Sequence, residues 1–513
     1  MESAANSATE DGHPSPQAVL DKASSLYKAI RTKKNYDQTV EQRGSEAVEA
    51  EITGVMADIR HLIASASDPL LRMGAIYELV GLLSIEHIEG IGQKAVDVGL
   101  LPVLIGQLGG PEVQTGAARV ICLLAVDHAE AVVNAGAVPP LVQLVSSHTG
   151  DVRLGAIDVL RNITAGSATR RDAVLAAGIL EPLLRVMQES SDNSDVPAWS
   201  ARLLCNLWSV PESDLENQPV PVTFPVVPLA ECVPFVPVLA GLIAAPQQDN
   251  HVMRSARRAL AHFAVLSYKK GTDADRDALV ECGAVASIKT LLEMAEPKIK
   301  AVACLVVYFV AEGTTAHKQA VIDGGLVPLL IGSASGGDTG AILKMVAARV
   351  IGRLLLGSQQ QIEYVVECGG IQPICVLLDD VGEVIGDTIS VLDNILSAGR
   401  QKQGDEGLPD NPYCTLLEQA GGVDKLADLQ THTDILIAAR AIAILANHFR
   451  PRVDEQRLNG LIQAGVIQAE SDDDDDDDDD GDGESDGAGD LDTDSGSDGH
   501  DSDSDGEGEG EEA

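Results

Sequence analysis

The 513 residues include 79 acids against 36 Lys and Arg, a formal net charge of −43. Of these acids 24 lie in residues 470–513, which hold no Lys or Arg, so 55 acids face the 36 bases elsewhere and leave −19 there. Two acidic parts repel a polyanion, so no nucleic acid is expected as a direct partner, and 45 % hydrophobic residues with only 14 aromatics suit closely packed helices better than a β-sandwich.

Residues 1–50 are polar and open on MESAANSATEDGHPSPQ, which has no apolar core of a signal peptide. They are expected to form a disordered arm with one basic cluster, Arg31-Thr32-Lys33-Lys34. From Glu51 onward a phrase recurs: an apolar helix, a small residue or Cys, Gly, two apolar residues, often Pro, then a Leu-rich helix. It reads DVGLLPVL at Gly99, NAGAVPPL at Gly136, AAGILEPL at Gly178, ECGAVASI at Gly283, DGGLVPLL at Gly325, ECGGIQPI at Gly369 and QAGGVDKL at Gly422. The spacings are 37, 42, 105, 42, 44 and 53. The gap of 105 holds one degenerate copy, LAECVPFVPVLAGLI, and a Pro-rich insertion near residues 208–228. The spacing of 53 is assigned a loop, SAGRQKQGDEGLPDNPY. The most apolar stretch, residues 219–245, contains six prolines and Glu231, so it is no membrane span. The eight Cys are scattered without a C-x-x-C pair and read as free thiols. Residues 470–513, with nine consecutive Asp from Asp472 to Asp480, are expected to be a disordered acidic tail.

A period near 42 lies in the range of about 40–47 residues that marks armadillo and HEAT repeats. The recurring Gly suits a left-handed helix end and the Pro suits the first turn of the next helix. A third helix follows, as in TGAARVICLLAV, LGAIDVLRNITA and KAVACLVVYFVA. Each unit is too thin to hide its apolar face alone, so neighbours must stack. The expected fold is all-α: an armadillo-repeat right-handed superhelical solenoid of about nine repeats over residues 51–469, between a disordered N-terminal arm and the acidic tail.

Three passages carry a more specific resemblance: LVGLLSIEHIEGIGQKAVDVGLLPVLIGQL at residues 79–108, QQIEYVVECGGIQPICVLLDD followed by SVLDNILSAG, and NPYCTLLEQAGGVDKLADLQTH at residues 411–432. In these the sequence resembles the importin-α family, in register from about residue 51 to 450. The resemblance implies a transport adaptor, present in cytoplasm and nucleus, that binds nuclear-localisation-signal peptides of cargo proteins along the concave surface of the third helices. In that family a Trp and an Asn four residues later recur on this surface. The Asn holds the peptide backbone and the Trp rings take Lys stems, a spacing that keeps both on one helix face.

Here the paired positions read Arg119/Leu123, Asp158/Asn162, Arg202/Asn206, Arg258/His262, Leu305/Phe309 and Arg349/Arg353. Two Asn remain, no slot holds a Trp, and Trp199 lies seven residues before Asn206. The position of the family's acidic residue falls at Gly166. The candidate peptide-binding residues are therefore Asn162, Asn206, Trp199, Asp158, Arg119, Arg202, Arg258, His262, Arg349 and Arg353, with an altered peptide preference. The arginines read either as a basic stripe or as an ordinary solvated helix face. The resemblance assigns Arg31, Lys33, Lys34 and Arg43 to importin-β and the last repeat to an export carrier. The alternative is an armadillo scaffold or histone-chaperone-like protein whose tail binds histones or other basic partners, or folds back on the groove. No catalytic constellation, cofactor, metal or membrane partner is expected: the eleven His show no metal-ligand spacing and no Gly-rich loop joins a strand to a helix.

Overall fold

The computed structural model describes residues 14–189, 195–209, 227–245, 250–336, 340–379 and 383–467. Among them there is no β-strand, and helices follow one another in threes. Three N-terminal helices, α1 (Pro16–Ile30), α2 (Lys33–Arg43) and α3 (Ser45–Ser65), lead into nine third helices. These are α4 (Pro69–Leu83), α5 (Gln114–Asp127), α6 (Gly150–Thr164), α7 (Asp195–Trp208), α8 (Asn250–Lys270), α9 (Pro297–Ala311), α10 (Ala341–Leu354), α11 (Glu383–Glu406) and α12 (Ile435–His448). A last helix, α13 (Glu455–Gln463), closes the described chain. Between successive third helices from α4 onward, two shorter ones form the back of each repeat.

The amphipathic period explains the stacking. Helix α6 buries Val152, Ala156, Ile157, Val159, Leu160 and Ile163, while Arg153, Asp158, Arg161 and Asn162 stay partly exposed. Each third helix packs on its predecessor and its successor from α4 to α12. Ala117, Ala156, Ala201, Ala256 and Ala303 are fully buried on successive third helices, and residues this small let the backbones approach closely. The core is one ribbon running from Val19 to Phe449, and a second small cluster of Ala439, Ile442, Leu458 and Leu461 fastens α13 to α12.

The expected Gly caps take positive φ at Gly99, Gly136, Gly178, Gly283, Gly325 and Gly369. In the last repeat the left-handed residue is Gly421, with φ 70°, and not Gly422. Gly422 is needed for space: a Cβ there would run into Leu417 and the Cys375 sulfur. The degenerate fourth copy of the phrase is a real repeat whose first helix has shrunk to Leu229–Cys232.

Two expectations are corrected. The loop assigned to residues 397–413 is mostly helix, because α11 continues for 24 residues to Glu406 and stops at Gly407, φ 66°. Its run Arg400-Gln401-Lys402-Gln403 favours helix and outweighs Gly399 and Gly404. The arm expected over residues 1–50 is folded from Pro16: α1 buries Val19, Ala23, Leu26 and Ile30 against α3 and α4. Its polar average concealed that stripe, spaced by three to four residues along one helix face. Residues 1–13, most of the Pro-rich insertion (210–226) and the acidic tail lie outside the described residues.

Candidate functional site

The third helices line up their unburied side chains into one face, and from α4 to α10 that face carries hollows between neighbouring helices. Four hollows follow one another. The first, about 270 Å³, lies between α4 and α5 and is walled by Met73, Ile76, Tyr77 and Val80, with Glu112 and Arg119 at its edge. The second, about 340 Å³, is bounded by Arg119, Cys122, Asp151, Asp158 and Trp199 of α5, α6 and α7. The third, about 520 Å³, is a trough walled by α6, α7 and α8 that holds Arg161, Arg202, Arg254 and Arg258 with His251 and His262. The fourth, about 220 Å³, is apolar, built from Val265, Tyr268, Leu305, Tyr308 and Val346 with Arg349 at its rim.

The aromatic seats are occupied by the chain itself. The guanidinium of Arg161 stands 4.7 Å, and that of Arg202 5.1 Å, from the centre of the Trp199 ring. Farther along, Arg349 and Arg353 stand 5.5 and 5.6 Å from the Tyr308 ring. A cation over an aromatic face is the contact that a Lys or Arg of a basic peptide would make, and here internal arginines make it. Asp158 is held in the same way: it accepts from Arg161 Nη2 at 2.6 Å and from the Cys122 thiol at 3.1 Å.

The two Asn act between repeats. Asn206 Nδ2 donates to the Arg161 carbonyl at 3.0 Å and to the Thr164 hydroxyl at 3.3 Å, tying α7 to the end of α6. Asn162 Nδ2 reaches the Cys122 carbonyl at 3.4 Å. Asn394, which the paired positions did not include, repeats the contact to the Leu355 carbonyl at 2.6 Å. An amide has two N–H groups and a carbonyl, so each Asn keeps capacity for a peptide backbone.

The remaining candidates divide. Arg119, Arg202 and Arg258 are exposed on the face, Arg349 is half-buried, and His262 lies in the trough. Arg353 is spent on an internal network: it donates to Tyr308 Oη at 3.0 Å and pairs with Asp387 at 3.1 Å and Glu312 at 3.7 Å. Burial pushes the Tyr308 phenol above its ordinary range. In the pair Leu305/Phe309, Phe309 is fully buried and the neighbouring Tyr308 lines the face instead. Arg161, Arg254, Tyr268 and Tyr308 were not among the sequence candidates. Arg254 could have been found, since it lies four residues before Arg258 on the same face.

The N-terminal basic residues belong to folded helices. Arg31 caps α1, Lys33 pairs with Asp37 at 2.9 Å, Lys34 is exposed, and Arg43 pairs with Glu51 at 2.6 Å. The thiols of Cys122, Cys205 and Cys304 are pushed up to about 12, mainly by burial, so they stay protonated near neutral pH and make poor nucleophiles. Among the described residues no group of three or more His, Cys, Asp or Glu could hold a metal ion, and no helix is long and apolar enough to cross a membrane.

Comparison with known proteins points one way. An armadillo/beta-catenin-like repeat model matches residues 125–165, which include α6, and an atypical Arm repeat model matches residues 411–461. Importin subunit alpha-8 of Arabidopsis thaliana is 28 % identical over 447 residues, covering 79 % of this chain and 95 % of that protein. Importin subunit alpha-1b of Oryza sativa subsp. japonica is 25 % identical, covering 81 % of this chain and 83 % of that protein. The crystal structure of an engineered protein, 25 % identical, covers 80 % of this chain and 92 % of its own with a TM-score of 0.55. The chain is thus an armadillo-repeat protein homologous to the importin alpha subunits.

Proposed function

We propose that this protein is a nuclear-import adaptor of the importin-α kind that holds extended segments of cargo proteins along the third-helix face, with a preference moved away from ordinary basic signals. The observation that carries this is the row of four hollows between Met73 and Tyr308 on a homologue of those subunits. The mechanism is binding. Asn162 and Asn206 offer amide groups to a peptide backbone, the apolar hollows at Tyr77 and Tyr268 take side chains, and Arg119 and Arg258 set the charge. Such an adaptor works in cytoplasm and nucleus. Engagement of importin-β by Arg31, Lys33, Lys34 and Arg43 would take place on the folded α1–α2 surface, where Lys33 and Arg43 are already paired with acids. An export carrier would meet the last repeat.

The test is hydrogen exchange on the full chain with a displayed panel of extended peptides that includes a Lys-rich nuclear-localisation signal. Selected peptides should protect α5 to α9 and bind at micromolar Kd or tighter. Absence of protection on every third helix overturns the proposal. A second reading, a scaffold whose tail captures histones or other basic proteins, is favoured by the 24 acids of residues 470–513. It predicts binding of a core histone that is lost with the tail and weakens steeply with salt.

A further inference from the structure

The trough walled by α6, α7 and α8 is anomalous. Four arginines line it and, among the described residues, no Asp or Glu does. The chain around it, outside residues 470–513, has a net charge of −19, so the trough concentrates cations where they are scarce. Arg202, Arg254 and Arg258 are exposed, and Arg161 is half-buried. Of these four, only Arg161 has an ion pair with a carboxylate among the described residues, Asp158 at 2.6 Å. Like charges gathered in one hollow repel unless an anion joins them. The guanidinium fork is moreover the group that grips carboxylates in pairs. Trp199 fixes Arg161 and Arg202 in place from one side. A site so arranged selects a run of carboxylates.

We propose that this trough is an acidic-peptide site and that its occupant is the chain's own segment 482–512. The proposal rests on the third-helix face being a peptide groove. Charge complementarity favours it, since residues 470–513 hold 24 acids and no Lys or Arg. Reach favours it too. From α12 to α8 is four third-helix steps of about 10 Å each, on the order of 40 Å. At about 3.4 Å per residue, the Asp run ending at Asp480 just spans that gap from residue 467, whereas residues 482–512 reach it with slack. A ligand tethered in this way acts at an effective concentration of about millimolar, so weak individual contacts suffice. The acids from Asp482 to Glu512 alternate with Gly and Ser, which lets carboxylates turn toward guanidiniums from an extended backbone.

The experiment uses the full chain, labelled with ¹⁵N, and a full-length variant carrying Arg202→Glu, Arg254→Glu and Arg258→Glu. All three positions are exposed, and circular dichroism checks that the variant folds. In the wild type at about 50 mM salt, amide signals of residues 482–512 should be attenuated by attachment to the large body. They should sharpen in the variant, and also in the wild type at about 500 mM salt. A labelled synthetic peptide copying residues 482–512 should bind the wild type weakly, because the site is filled, and the variant not at all. Tail signals that are equally sharp in wild type and variant overturn the proposal. If in that case the added peptide binds the wild type about tenfold or more tighter than the variant, the trough serves an acidic segment of a partner instead. If it binds neither, there is no acidic-peptide site. Protection of α4, α5 and α9 by panel peptides would survive either failure, so the peptide-groove reading is judged separately.

Discussion

Arg161 and Arg202 occupy the indole face that a cationic ligand would need, and their removal tests whether they keep such a ligand away. Arg161→Ala with Arg202→Ala should raise affinity for a Lys-rich peptide about tenfold in fluorescence anisotropy, a gain of about 1.4 kcal/mol that lies within the cation–π range. No gain would mean that Trp199 is inaccessible to ligands. Asn206 carries a different load. Asn206→Ala removes two hydrogen bonds between α6 and α7 and should cost about 1 kcal/mol in urea unfolding, whatever it does to peptide binding. The thiols give a third check. Iodoacetamide near neutral pH should modify the exposed Cys282 first, while buried Cys205, Cys232 and Cys304 react only on unfolding. At this scale the sequence was partly legible. Asn206, Arg202 and Arg258 could be placed on one face because i and i+4 share a helix face. Tyr308 was missed because one residue along a helix turns a side chain by about 100°. The paired positions therefore picked Phe309, which faces the core.

Helices succeed or fail by their buried stripe. Leu26→Ala in α1 should destabilise the N-terminal cap by about 2–5 kcal/mol and make residues 16–43 the first site of proteolysis, because α1 has no other anchor of that size than its four buried residues. If α1 were a loosely attached arm, the substitution would leave proteolysis unchanged. The same scale separates two adjacent glycines. Gly421→Ala should cost about 1 kcal/mol for its left-handed backbone, while Gly422→Ala should cost more because its Cβ meets Leu417 and Cys375; thermal melts of the two variants rank them. The repeat phrase was readable because Gly and Pro punctuate it. The folded arm and the long α11 were not: a polar average hides one apolar stripe in four, and Gly399 and Gly404 read as breakers although stacking holds the helix across them.

The whole molecule is a ribbon of neighbours without a central core, so its stability is local. Hydrogen exchange should open α13 and the α1–α2 pair first and α6 to α10 last, since the ends have a neighbour on one side only. Simultaneous exchange across all repeats would contradict this. The period near 42 made the architecture legible from sequence alone, but it is silent about which side chains fill each hollow, because those positions tolerate many residues without changing the stack. The arginines on Trp199 exercise that freedom. Two codons decide whether the ring is open or closed to a cation, and neither touches the scaffold. Homology is written along the length of the stack, in a 28 % identity that spans 447 residues. The charge lining the hollows is written in a handful, so a few substitutions can change it while the stack stays as it is.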